Sequence, residues 1–325
     1  MAFSLAARKR IAPSDARWTL AGIAALGIAL LAPPLIGRQD ILNLLFLVLL
    51  YVTIGQSWNV LGGFTGQVNL GHAAFFGTGV MVARELWLLG QWPYPVAFLA
   101  GGVAATLFAL IVGIPTFRLR GAYFSIGTLG LAEALRLAVA NVFPNINALP
   151  AQISAEYDVV SHYYLALGLA AVAMLFAFVS IRSRFGLGWS AVREDEEAAR
   201  ASGVDPLLHK LAALVASSFL AGLAGSGFAL HQASFYAEFV FEPGWTFDAL
   251  LITFIGGVGT TIGPLLGAVF YILVREELAV SFTQFHQVFF GLLFILIVLL
   301  LPGGLIDAWR RLRPFVRLLF HKKIG

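Results

Sequence analysis

The chain has 325 residues, of which 59% are hydrophobic and only 12% charged, with a formal net charge of +4 and a mean hydropathy of +0.87. Soluble domains carry about 25% charged residues, so the composition excludes a soluble globular protein and points to an all-α, polytopic membrane protein. The chain contains no cysteine, which excludes disulfides, thiol nucleophiles and thiolate metal sites, and no run of ten-residue alternating segments suggests a barrel.

Crossing a hydrocarbon core takes about 20 apolar residues. The apolar runs predict about ten membrane segments, at 18–36, 41–61, 70–89, 95–117, 122–142, 163–181, 210–232, 246–258, 262–280 and 285–301. An N-terminal tail, 1–17, carries Arg8, Lys9, Arg10 and Arg17. The apolar run behind it is too long for a signal core and has no A-x-A site, so it reads as an uncleaved first span. The transmembrane domain is expected over 18–306, interrupted by a charged loop at 182–209, and a basic tail follows at 307–325. Lys and Arg concentrate in the two tails, in the loop and at Arg118 and Arg120. Placing all of these on the cytoplasmic side follows the positive-inside rule and puts both termini in the cytoplasm. The C-terminal tail mixes cationic and apolar residues, which suits either a position on the anionic inner leaflet or a solvated end.

Two stretches interrupt the helical pattern, G-G-F-T-G-Q-V-N-L-G-H at 62–72 and G-G-V-G-T-T-I-G-P-L-L-G at 256–267. They lie in opposite halves of the chain, and the segment before the second is short. Glycine-interrupted segments in corresponding halves point to an internal repeat with broken or re-entrant helices beside a substrate path, with Gln67, Asn69, His72, Gly256, Gly257 and Gly259 as its candidate lining. The other reading is that the glycines only permit tight helix crossings. Amide side chains at Gln67 and Asn69 suit an uncharged contact with a solute, and equally suit backbone groups freed by the break.

Polar residues in lipid are costly and face the bundle or a cavity. Besides the three polar residues just named, the candidates are Asn43, Gln56, Asn59, Glu133, Arg136, Asn141, His231, Gln232 and Asp248. Glu133 and Arg136 are three apart, share a helix face and read as a structural ion pair. No catalytic cluster is present: there is no H-E-x-x-H and no G-x-S-x-G, and the histidines have no metal-ligand spacing. Neither a metal, a cofactor nor a nucleic-acid partner is expected. None of the four Lys (9, 210, 322, 323) stands in a phosphate-binding G-x-x-x-x-G-K-[ST] loop, so the chain is not expected to be an enzyme.

Residues 192–206, V-R-E-D-E-E-A-A-R-A-S-G-V-D-P, form the most polar stretch. Trp189 to Ser202 is Ala-rich without Pro or internal Gly and predicts a helix. Its acids sit near the start, Gly203 supplies a stop and Pro206 follows. A capped helix held between two spans is shaped to dock on another protein.

Glu197-Ala198-Ala199 followed by Gly203 resembles the cytoplasmic EAA loop of ABC importer permeases, without the later I-x-L-P part. The surrounding R-S-R-F-G-L-G-W-S-A-V-R-E-D-E-E-A-A-R-A-S-G-V, together with G-Q-V-N-L-G-H-A-A-F-F-G, Y-F-S-I-G-T-L-G-L-A-E-A-L-R and G-G-V-G-T-T-I-G-P-L-L-G-A, is similar to the Liv-type branched-chain amino acid permease family, in its LivM-like branch, over roughly residues 40–305. The outer loop F-P-N-I-N-A-L-P-A-Q-I-S departs from the Gly-Gly-Ser/Thr-rich loop that the family often has.

The resemblance implies a permease in a bacterial-type cytoplasmic (inner) membrane. It implies as partners a second Liv-type permease (a heterodimer), two ABC ATPase subunits and an extracytoplasmic substrate-binding protein. The substrates it implies are branched-chain and other hydrophobic amino acids, amides, urea or small carboxylates. Arg193, Glu194, Asp195, Glu197, Ala198, Ala199 and Gly203 then become the ATPase-coupling residues. The rival reading is a stand-alone secondary transporter or solute channel. It needs an intramembrane acid or cation free of a partner, and Asp248, placed near the outer interface, is the one modest candidate.

Overall fold

The computed structural model describes residues 37–151, 153, 158–281, 291, 292, 295, 299 and 303–309. The expected N-terminal tail and first span, most of the last span (285–301) and most of the C-terminal tail lie outside the described residues.

Each of the other eight expected segments is a helix. In chain order these are α1 (Gln39–Trp58), α2 (His72–Leu88), α3 (Tyr94–Thr116), α4 (Ala122–Val142) and α5 (Val159–Arg182), then, beyond the charged loop, α8 (Pro206–His231), α9 (Gly244–Gly256) and α10 (Gly263–Ser281). Within the loop lie α6 (Arg184–Glu194) and α7 (Glu196–Ala201). Among the described residues six helical stretches are long and apolar enough to cross a membrane: Gln39–Phe64, Tyr94–Thr116, Ala122–Val142, Val159–Arg182, Pro206–His231 and Ala237–Gly256. The 17-residue α2 carries Arg84 and Glu85, and α10 carries Arg275, Glu276 and Glu277, so neither belongs to that set.

Helix α1 is apolar nearly all round and most of its surface is buried, as expected of a central helix. It packs on α5, α8, α9 and α10. It does not stop at Trp58 but runs on through one π-helical turn, Asn59–Phe64, the kind of irregular turn that gathers at functional sites.

Helices α2, α3 and α8 stack through small residues. Along α3 the buried positions are Ala97, Gly101, Gly102, Ala105, Ala109 and Gly113, a stripe that recurs every four residues. A methyl group added at Gly79 would fall 2.1 Å from the Gly222 carbonyl oxygen, and one at Gly222 would fall 2.6 Å from the Ala105 methyl. These backbones touch because nothing stands between them, which is how helices associate in lipid.

Helix α4 differs. It buries only Phe124, Thr128 and Ala132, again four apart, and leaves the rest of its circumference open. Helices α5 and α8 start on carboxylate caps, with Asp158 accepting from Val160 N and Ser161 N and Asp205 accepting from Leu207 N and Leu208 N.

At the end opposite the charged loop, β1 (Ile146–Ala148) pairs antiparallel with β2 (Ser234–Tyr236). A short 3-10 turn, Ala237–Phe241, leads into α9. Arg84 of α2 is fully buried beneath this pair. It donates to Asn147 Oδ1 (3.0 Å), to the Ala229 carbonyl (2.5 Å) and to the Ala233 carbonyl (3.0 Å), and lies over the Phe235 ring. Three acceptors on three chain segments make Arg84 the tie between α2, the end of α8 and the outer loop.

Candidate functional site

The two glycine breaks are far apart in sequence and meet in space. Asn59, in the π turn, donates from Nδ2 to the Thr260 carbonyl (2.9 Å) and accepts at Oδ1 from Gly259 N–H (2.9 Å). One amide therefore satisfies backbone groups that the break at 257–262 has freed from the helix, as irregular backbone at membrane depth requires. Gly259 and Gly257 hold φ values of +74° and +126°, open to glycine and strained for other residues. Gly256 is buried against Gly263, and Thr260 Oγ1 ties the turn by donating to the Gly257 carbonyl (2.7 Å).

The first break leads into a non-helical segment, 66–71, which returns the chain to the start of α2. Its backbone is held by side chains. Ser125 Oγ donates to the Val68 carbonyl (2.7 Å), Leu70 N–H donates to Thr128 Oγ1 (3.2 Å) and Trp58 Nε1 donates to the Asn69 carbonyl (2.9 Å). Asn69 is buried with Oδ1 accepting from Gly71 N–H (2.8 Å), so its amide serves the backbone. Gln67 is half-buried, its Nε2 only 3.4 Å from the Thr65 carbonyl. His72 lies in the core, with Nε2 2.7 Å from Ser57 Oγ and Nδ1 without a partner. A cavity of about 20 Å³, lined by Asn69, Gly71, Phe75, Phe124 and Thr128 among others, sits beside the segment. That volume holds about one water and no amino acid.

Glu133 and Arg136 form the expected pair, bidentate at 2.9 and 2.6 Å, and Arg136 also reaches Glu238 at 3.7 Å. The group lies on the open side of α4, with Glu133 39% exposed.

The charged loop is not one helix. Asp195 adopts an extended conformation (φ −161°, ψ 118°), ends α6 and caps α7, its Oδ1 accepting from Glu197 N–H (2.8 Å) and Ala198 N–H (3.0 Å). A continuous helix would set four consecutive acids on one turn and leave the Asp195 side chain without a backbone donor. A second helix start gives it two N–H groups and the positive end of a new dipole. Gly203, at φ +84°, ends α7, and Val204 N–H returns to the Ala199 carbonyl (3.0 Å).

The loop has two faces. Arg193, Glu194, Asp195, Glu197, Ala198 and Arg200 are exposed. Trp189, Val192 and Ala199 are buried. The Trp189 ring stacks on Phe64 of the π turn at 6.3 Å and donates from Nε1 to the His209 carbonyl (2.9 Å). Glu196 forms an ion pair with the buried Lys210 of α8. The exposed Arg193, one of the expected coupling residues, reaches back to the first break with its guanidinium, Nη1 donating to the Gly63 carbonyl (2.6 Å).

A separate polar cluster joins α1, α9 and α10. Tyr51 and Tyr271 both donate to Asp248, and Arg275 donates to the Tyr51 hydroxyl (2.7 Å) with Asp248 3.9 Å away. Asp248 is therefore partnered, which removes the free acid that a stand-alone transporter was expected to need. Reading the sequence singled out neither Arg84, Tyr51, Tyr271 nor Arg275. The signal available for the two arginines was a cation inside a helical segment.

A family model described as branched-chain amino acid transport system / permease component matches residues 40–298. The high-affinity branched-chain amino acid transport system permease protein LivM of Escherichia coli (strain K12) is 28% identical over 328 residues, covering 89% of this chain and 75% of that protein. Its namesake in Salmonella typhimurium is 29% identical over the same span and shares. A probable branched-chain amino acid transport permease protein LivM of Methanocaldococcus jannaschii is 25% identical over 250 residues, 68% of this chain and 70% of that protein. No solved structure matches.

Proposed function

The chain belongs to the branched-chain amino acid transport permease family, and from that premise we propose that it forms half of the membrane passage of an ATP-driven importer. A second permease of the same family supplies the other half. Two ATPase subunits act from the cytoplasm, where both termini also lie, with the 182–209 loop of this chain docking on an ATPase, and an extracytoplasmic binding protein delivers solute at the opposite end. The solute is a branched-chain or other hydrophobic amino acid, or a related amide, urea or small carboxylate. The chain itself carries no catalysis.

The observation that carries this reading is the seating of the charged loop on the junction of the two glycine breaks, through Trp189 on Phe64 and Arg193 on Gly63. A loop that merely linked two spans would need no such seat. Its outer face, with Glu194, Glu197 and Ala198, is left for a partner. The open flank of α4, with Glu133 and Arg136 toward the outside of the bundle, favours a passage formed against a second permease, because an ion pair facing lipid is costly.

A pull-down of the tagged chain from its native membranes in mild detergent tests the reading. Recovery of two ATPases and a sister permease supports it. Recovery of the chain alone, under conditions that keep a known importer intact, overturns it.

A further inference from the structure

Arg193, in the charged loop, touches both glycine breaks. Its Nη1 donates to the Gly63 carbonyl at 2.6 Å. A methyl group built at Gly259 would fall 2.5 Å from that same Nη1, and one at Gly66 would fall 3.1 Å from Arg193 Cγ. The guanidinium thus lies on Gly259, its stem lies on Gly66, and its hydrogen bond is to Gly63. Each contact is to a residue without a side chain, so the arginine packs directly on backbone.

Asn59 bridges the same two breaks from inside the bundle through Gly259 and Thr260. Arg193 differs in belonging to the loop. It stands two residues before Asp195, where the loop bends from α6 into α7.

We propose that Arg193 is a latch: by holding the Gly63 carbonyl and covering Gly259, it keeps the two broken helices together at the loop end, and displacement of α6 by a partner withdraws it and lets them part. The proposal rests on the coupling reading above and names the contact through which that coupling passes. Arg193 is in these terms a positioning residue, acting on the passage through the backbone of the breaks. A hydrogen bond from a charged donor biases a two-state equilibrium roughly tenfold or more. A latch of that strength holds the junction closed at rest and yields to a domain driven by ATP.

The test uses the complete importer in proteoliposomes, with ATP hydrolysis and solute uptake measured together. Because the chain has no cysteine, Val258→Cys gives a single thiol beside the junction whose labelling rate from the loop side reports its opening. Arg193→Met keeps the stem on Gly66 and removes the donor. Arg193→Lys keeps a cation of shorter reach.

The expected result for Arg193→Met is normal assembly with the ATPases, roughly tenfold faster labelling at position 258 without ATP, and more ATP hydrolysed per solute moved, with Arg193→Lys intermediate. Wild-type labelling and an unchanged ATP-to-solute ratio in Arg193→Met overturn the latch while leaving the importer reading in place. Loss of assembly in both variants also overturns it, since Arg193 would then be a structural or docking residue. Failure of the wild-type assembly to couple ATP to uptake would instead sink the importer reading.

Discussion

Asn59 and Gly259, two hundred residues apart, share a hydrogen bond of 2.9 Å in which the backbone N–H of a broken helix donates to a side-chain amide. The opposite atom of that amide donates to Thr260. Asn59→Ala leaves both backbone groups unpaired inside the bundle. Interhelical hydrogen bonds in membrane proteins contribute about 0.5–2 kcal/mol each, so thermal unfolding in detergent should show a loss in that range. Asn59→Asp keeps the acceptor for Gly259 and should retain part of the loss.

The ion pair between Lys210 and Glu196 is asymmetric in its exposure, with the lysine side chain 7% and the glutamate 39% exposed. Removing the glutamate strands a buried ammonium, whereas removing the lysine leaves a carboxylate that can turn to water. Glu196→Ala should therefore destabilise more than Lys210→Met, by about 1–3 kcal/mol after allowing for the exposure of Glu196. The double variant should recover most of the difference. Denaturation of all three in one detergent checks the order.

Gln67 and Asn69 are separated by their burial. Asn69→Ala frees the Gly71 N–H and should lower stability by about 1 kcal/mol or more, with the remaining folded protein transporting at wild-type affinity. Gln67→Ala should spare stability and weaken transport affinity. Uptake kinetics and thermal unfolding on both variants decide it; the reverse pattern would make Asn69 the solute contact.

Glu197 is exposed and Gly203 closes α7 at φ +84°. Glu197→Ala together with Gly203→Ala removes an outward carboxylate and strains the helix end by about 1 kcal/mol. Membrane insertion should be normal and ATP hydrolysis should persist without solute uptake. Full transport by this pair of changes would exclude the outer face of α7 from coupling.

Arg84 is buried with three acceptors and no carboxylate among them. Arg84→Met leaves the Ala229 carbonyl and Asn147 Oδ1 without the arginine, at about 1 kcal/mol or more each, while the Ala233 carbonyl keeps the Leu149 N–H, and should loosen the β1–β2 pair. Faster proteolysis within 143–158 in the intact membrane protein is the expected sign.

Local physics was enough for much of this protein. Apolar runs of span length placed eight helices within a few residues of where they lie, because a helix in lipid must satisfy its own backbone and leaves few alternatives. The three-residue spacing of Glu133 and Arg136 was enough to pair them, and Gly203 was enough to end α7. The family was legible in the glycine-rich and charged stretches. Tertiary structure alone decided the rest. The break at Asp195 turns on whether its carboxylate finds donors in the next turn, a competition that helix propensity does not weigh. The reach of Arg193 to Gly63, the closing of two breaks by Asn59, the partnering of Asp248 and the burial of Arg84 all depend on hydrogen-bond partners about 60–200 residues away. Periodicity reports which face of a helix is buried; only packing determines which distant backbone or side-chain group a polar residue meets there.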